Sequence, residues 1–132
     1  MIKGVEVRSL EKHINEKGFV YEILRPEHVN AAFGQIYIST AKAGFVKANH
    51  YHTRKKEWFA AIKGEALVLL KDMETGEEAQ ISVNGSEPKV LFIPPNVAHA
   101  FKNTGKGMLY LLVYISEGFN PADADTHPVE LL

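Results

Sequence analysis

Residues 49–59 read NHYHTRKKEWF, and the spacing of the two histidines and the glutamate decides how the rest of the chain is read. Side chains at i and i+2 of a strand share a face, so His50 and His52 point one way and Tyr51 the other. Glu57 closes a short basic segment and opens EWFAAI, an apolar run that reads as the next strand. If the two strands pair, the Glu57 carboxylate returns toward both imidazoles. His99, in PPNVAHAFKN, sits where a proline-rich turn enters a further strand and is the fourth candidate donor. Three imidazoles and one carboxylate suit a divalent first-row ion with room left for water or substrate. A lone His-x-His is explained as well by solvated histidine; Glu57 and His99 are what make it a cluster.

Working outward, short stretches rich in β-branched and aromatic residues recur with turn residues between them. GVEVRSL, FVYEIL, FGQIYIST, GFVKANHYH, EALVLLKD, AQISV, KVLFIPP, HAFKN and MLYLLVYI join EWFAAIKG in this pattern, which is that of an all-β, antiparallel barrel or sandwich. Glu74-Thr75-Gly76 reads as a hairpin turn and Asn84-Gly85 as a second turn. The one helical candidate is a short turn around Pro26 to Ala32, with proline at a first helical position. The tail NPADADTHPVELL is expected to run irregularly along the surface.

The 132 residues suit a single domain, 1–132, able to bury roughly two-thirds of its unfolded surface. With 45% apolar and 23% charged residues and a net charge of −1, the chain shows no electrostatic footprint for nucleic acid or anionic membrane. Its longest apolar run, Met108 to Ile115, is far short of the roughly 20 residues of a membrane span. No secretory leader is visible, so a cytoplasmic location is expected. The absence of cysteine excludes disulfides, thiolate metal sites and cysteine nucleophiles. A metal must therefore use His, Asp or Glu. Zinc is the expected ion, with iron, manganese and nickel compatible with the same donors.

The spacing also matches a family. Gly44, His50, His52, Glu57 and Gly64 reproduce the first cupin motif, and Pro94, His99 and Asn103 resemble the second. Asn96 stands where that family usually has glycine, and Gly85 lies farther ahead of Pro94 than is usual. The flanking stretches NEKGFVYEILRPE and FNPADADTHPVEL resemble the C-terminal cupin domain of bifunctional capsular-polysaccharide enzymes, a C3-epimerase, without its companion reductase. More distantly the chain is similar to dTDP-4-dehydrorhamnose 3,5-epimerases and to 3,4-ketoisomerases. The resemblance implies a small antiparallel jelly-roll barrel with a metal at its mouth on His50, His52, Glu57 and His99, and a homodimer.

It also implies an activity. A nucleotide-linked 4-keto-6-deoxy sugar has an acidic C–H beside its ketone, at C3 and at C5. A base removes that proton, the enolate is stabilised, and a proton returns on the opposite face. The catalytic histidine of the rhamnose epimerases aligns with His50, their lysine with Glu57 and their glutamine with His52. His50 is therefore the aligned catalytic residue, yet as a metal ligand it has no free nitrogen to act as base. Tyr114 is taken as the proton-donating phenol; it shares a strand face with Tyr110, and Tyr37 lies on an earlier strand. Lys47 and Arg54, with Lys55 and Lys56, are candidates for the diphosphate, Phe19 for stacking on the base, and Tyr37 for substrate contact. Trp58 should face away from the cluster. His13, His28 and His127 are read as solvent-exposed, and ADADTH as a flexible acidic tail. Two other functions fit the same residues: a metal-dependent oxygenase, and a non-catalytic sugar-binding cupin partnering a reductase.

Overall fold

The computed structural model describes residues 2–132. In chain order its strands are β1 (Glu6–Ser9), β2 (Lys12–Asn15), β3 (Gly18–Tyr21), β4 (Gln35–Ala41), β5 (Val46–Tyr51), β6 (Glu57–Lys63), β7 (Glu65–Asp72), β8 (Glu78–Asn84), β9 (Lys89–Ile93), β10 (Val97–Asn103), β11 (Leu109–Ile115) and β12 (His127–Pro128). Two five-stranded sheets, ordered β1-β9-β6-β11-β4 and β12-β5-β10-β7-β8, hold the core between them, and every strand pairing is antiparallel. This is the jelly-roll arrangement that the family resemblance implies. Among the described residues the only helix is a 3-10 turn at Pro26–His28, shorter than the expected stretch.

Two elements were not anticipated. β2 and β3 form a separate hairpin, and β12 pairs with β5 to close one edge of the second sheet. The Glu74-Thr75-Gly76 turn joins β7 to β8, where the Asp72 carboxylate accepts the Glu74 and Thr75 amides. Asn84 makes the same kind of turn with Ser86 and Glu87, but there the chain leaves one sheet for the other.

Alternation along β7 and β11 sends one set of side chains inward, and Val68, Leu70, Leu111 and Val113 are at most 2% exposed. With Phe59, Leu91, Ile93 and Phe101 they form the apolar floor beneath the barrel mouth. Each such burial stabilises by ~1.5–3 kcal/mol. β6 is buried on both faces: Glu57, Phe59 and Ala61 point inward, while Trp58 and Ala60 pack outward under Leu10, Ile23, Leu24 and Val29. Gly64, the last residue of the first motif, takes φ +94° in the β6–β7 turn, and a Cβ there would stand 2.9 Å from the Met108 carbonyl oxygen. Among the described residues no helix is long and apolar enough to cross a membrane.

Candidate functional site

β5 reaches the barrel mouth through a bulge. Opposite it in the register, His99 faces His50 and Ala100 faces Ala48, so Asn49 is the extra residue. Ala48 and Asn49 both take positive φ, 73° and 55°, an uncommon conformation for alanine. The Asn49 side chain accepts the Leu131 amide at 2.9 Å and donates to the Leu132 carbonyl at 3.1 Å, which ties the bulge to the end of the chain. Beyond it the expected alternation holds. His50 and His52 share the inner side, with ring centroids 4.8 Å apart, while Tyr51 stacks on His127 outside.

His99, on the central part of β10, is fully buried, and Glu57 begins β6 at 1% exposure. The donor atoms of His50, His52, Glu57 and His99 all lie within 4.8 Å of one another. Glu57 Oε1 is 2.7 Å from His52 Nε2 and 3.2 Å from His99 Nε2. These three buried atoms nevertheless have no hydrogen-bond partner. The other ring nitrogens are occupied: His52 Nδ1–H donates to the Asp125 carbonyl at 2.6 Å and His99 Nδ1–H to the Val97 carbonyl at 3.1 Å. Each tie leaves the Nε2 lone pair facing inward, which is how ligating histidines are held. The residues present therefore fit a divalent ion.

His50 and Glu57 are held in the protonation states that a metal needs. Burial, with His99 and His52 beside it, pushes His50 down to about 4, so its imidazole is neutral. Burial works against the Glu57 carboxylate, but His99 and His52 outweigh it and hold Glu57 well below the ordinary carboxylate range. Burial also opposes a charge on His52, which Glu57 more than offsets.

Two adjoining cavities open beside the cluster, sharing His50 and Tyr37. The outer one, about 250 Å³, is lined by Gln35, Lys55, Glu117 and Thr126 among others, and the inner one, about 110 Å³, by Ser39, Lys47 and Glu57 over the apolar floor. The outer volume is below the ~300–1,000 Å³ of sites for drug-sized ligands, a size for one sugar ring rather than a whole nucleotide sugar. Tyr37 projects inward from β4. Its burial and the charge of Glu57 push the phenol up to about 12, so it stays protonated.

Not every expected residue comes here. Tyr114 lies on the outer face of its strand, against Trp58 and Phe33, and its hydroxyl donates to the Ala32 carbonyl at 3.1 Å. β11 turns Val113 and Ile115 inward instead, so the cavity tyrosine is Tyr37 and the Tyr114 role is withdrawn. Arg54 faces out and pairs with Glu117 and Asp123, each at 3.2 Å. Phe19, 57% exposed, lies on the β2–β3 hairpin under the Lys12 ammonium, away from both cavities. Lys47 does line the inner cavity. Trp58 faces away, as expected. His13 is exposed, but His28 and His127 are half-buried.

The tail also departs from expectation. Asp125 is buried, and its carboxylate accepts the Thr53 amide at 2.9 Å, the Thr53 hydroxyl at 2.6 Å and the Arg54 amide at 2.8 Å. Burial disfavours its charge, yet these donors hold its pKa well below the usual carboxylate range. The tail is thus a strap over the loop between β5 and β6. Asn96 resolves the motif departure: at φ +65° it takes the left-handed conformation that glycine would, its amide donating to the His52 carbonyl at 2.7 Å. Asn103 stitches the β10–β11 turn through the Ala41 and Gly107 carbonyls and holds no ligand position.

Fold and cluster together define a cupin: an antiparallel jelly roll with three histidines and a glutamate at its mouth. The chain belongs to the polysaccharide biosynthesis C-terminal domain family, whose model matches residues 13–127. It is 33% identical over 131 residues to the spore coat polysaccharide biosynthesis protein SpsL of Bacillus subtilis, covering 95% of this chain and 87% of that one. The capsular polysaccharide assembling protein CapF of Staphylococcus aureus superposes with a TM-score of 0.72 at 25% identity, over 92% of this chain but only 33% of CapF. A dTDP sugar isomerase from Desulfovibrio desulfuricans matches the fold more completely, with a TM-score of 0.88 at 24% identity over 98% of this chain and 85% of the isomerase.

Proposed function

We propose that the chain is a sugar-nucleotide epimerase that inverts a carbon beside the C4 ketone of an NDP-4-keto-6-deoxyhexose, at C3 with C5 as the alternative centre, during surface polysaccharide synthesis. The observation that carries this reading is the convergence of His50, His52, Glu57 and His99 on a cavity of sugar-ring size that also receives the protonated Tyr37 phenol. Membership of a polysaccharide biosynthesis family and the fold shared with a sugar isomerase support it.

His50, His52, Glu57 and His99 would hold a divalent ion, zinc by the chemistry of the donors. A bound ion would supply positive charge that polarises the ketone. His50, serving as ligand, is then not the base. Tyr37 returns a proton to the ring carbon from its side of the cavity, and its proton remains available across the physiological range. Lys47, beside His50, faces the anionic part of the substrate, while the nucleotide extends beyond the cavity. The homodimer implied by the family resemblance has a surface to use, since β4 is an edge strand presenting Ile36 and Ile38 outward.

The test is incubation of metal-loaded protein with UDP- and dTDP-linked 4-keto-6-deoxyhexoses in D₂O, following the ring protons by NMR. The expected result is loss of the proton signal beside the ketone. No loss with either nucleotide sugar would overturn the proposal, and oxygen consumption in an iron-loaded sample would replace it with an oxygenase.

A further inference from the structure

Three basic residues follow one another between the ligands His52 and Glu57, and they have different surroundings. Arg54 turns out to Glu117 and Asp123, and Lys56 Nζ reaches the Asn30 carbonyl at 3.4 Å on the exposed side. Lys55 between them is only 4% exposed and lines the outer cavity with His50, His52 and Tyr37. Among the described residues it forms no ion pair. The one acidic residue that lines this cavity with it, Glu117, is paired with Arg54, so the Lys55 charge is left to meet a negative charge that a ligand brings.

The loop that carries Lys55 is braced on both sides. Asp125 fixes the Thr53 and Arg54 amides, and the Ser116 hydroxyl accepts the Lys56 amide at 2.9 Å while the Ser116 amide donates to the Lys56 carbonyl at 3.0 Å. The backbone that carries the charge is therefore fixed before substrate arrives, which limits the reorganisation a charged group must undergo to lower a barrier. A neutral sugar ring entering this cavity brings no formal charge. Enolisation creates one.

Resting on the epimerase reading, we propose that Lys55 is a catalytic residue, the cation that stabilises the enolate oxygen of the 4-keto sugar. The C–H bond beside the ketone breaks, its electron pair forms the carbon–carbon double bond, and the carbonyl π pair moves to oxygen, where the Lys55 ammonium meets it. The proton passes to the Glu117 carboxylate, which lines the same cavity. Reversal with a proton from Tyr37 on the other face completes inversion, with no oxidant or reductant required.

The experiment compares wild type, Lys55→Met, Lys55→Arg and Lys55→Ala, each checked for metal content and melting temperature, by the rate of deuterium exchange into the bound 4-keto sugar and by substrate affinity. Lys55→Met should keep its metal and bind substrate within a few-fold of wild type, with exchange slowed by ~10²–10³-fold, the cost of removing one oxyanion partner. Lys55→Arg should recover part of the rate, and added ethylammonium should restore part of it to Lys55→Ala. Exchange in Lys55→Met within threefold of wild type, at equal metal content, would overturn the assignment. So would a loss accounted for wholly by weaker substrate binding. Absence of exchange in the metal-loaded wild type is a separate outcome: it removes the epimerase reading itself, and this role with it.

Discussion

The two faces of the β1-β9-β6-β11-β4 sheet carry similar residues to different ends. On the inner face Tyr37, Glu57 and Val113 line one cavity; on the outer face Tyr114, Trp58 and Phe92 pack together, with Tyr114 and Trp58 each one residue beyond Val113 and Glu57 on the same strands. Both faces carry buried residues, yet among the described residues the buried side-chain atoms without a partner all lie on the inner side, at Glu57 of this sheet and at His52 and His99 across from it. The outer tyrosine has its hydroxyl satisfied by Ala32 and its ring packed by neighbours. An unsatisfied buried polar group costs stability, so its presence on one face alone marks where a ligand is expected. The outer face holds the sheet in shape, and the inner face is where the proposed chemistry falls.

That contrast can be broken from either side. Trp58→Ala should cost about 3–5 kcal/mol of stability, the range for removing a large buried aromatic, read as a lower denaturation midpoint with metal stoichiometry unchanged. Tyr37→Phe should do the reverse, leaving stability nearly intact while slowing deuterium exchange by ~10²–10⁴-fold, the usual worth of a positioned acid. Asp125→Ala should free the strap and loosen the His52 tie, lowering metal affinity by ~10–100-fold, as for other partners of ligating histidines; competition with a chelator measures this, and limited proteolysis should cut the released tail. Tyr114→Phe should cost at most about 1 kcal/mol and leave exchange untouched.

A pH titration sharpens the same comparison. In metal-free protein Tyr37 should ionise only near pH 12, above the ordinary value of about 10. Because its folded value is the raised one, its contribution to stability is complete below about pH 10 and is lost as pH rises toward 12. Ultraviolet difference spectra of wild type against Tyr37→Phe would read this directly. A Tyr37 that ionised near pH 10 would mean that its ring is neither buried nor close to the Glu57 charge.

Much of the inner face was legible in the sequence because period-two alternation is a local property. His50, His52 and Glu57 follow from it, and the turns at Glu74 to Gly76 and at Asn84 follow from residue chemistry. The parity of β11 was not legible: MLYLLVYI is apolar in both registers, so nothing local says whether Leu111 and Val113 or Tyr110 and Tyr114 face inward. The outer positions stay dry only because Leu10, Ile23, Leu24 and Val29 cross from far along the chain. Asp125 escaped for the same reason, since its partners Thr53 and Arg54 lie about seventy residues away and a short acidic tail has no pattern that points to them. Lys55 did leave a trace. It is one of three consecutive basic residues set between the ligands His52 and Glu57, but it lies in the loop between β5 and β6, where strand alternation does not say which of the three turns inward.

The most direct measurement is the exchange rate beside the ketone in Tyr37→Phe set against Tyr114→Phe, in metal-loaded samples of matched stoichiometry. The account predicts a ratio of ~10⁻²–10⁻⁴, with Tyr114→Phe equal to wild type. Equal rates in the two variants, or the greater loss in Tyr114→Phe, would contradict the assignment of the chemistry to the inner face.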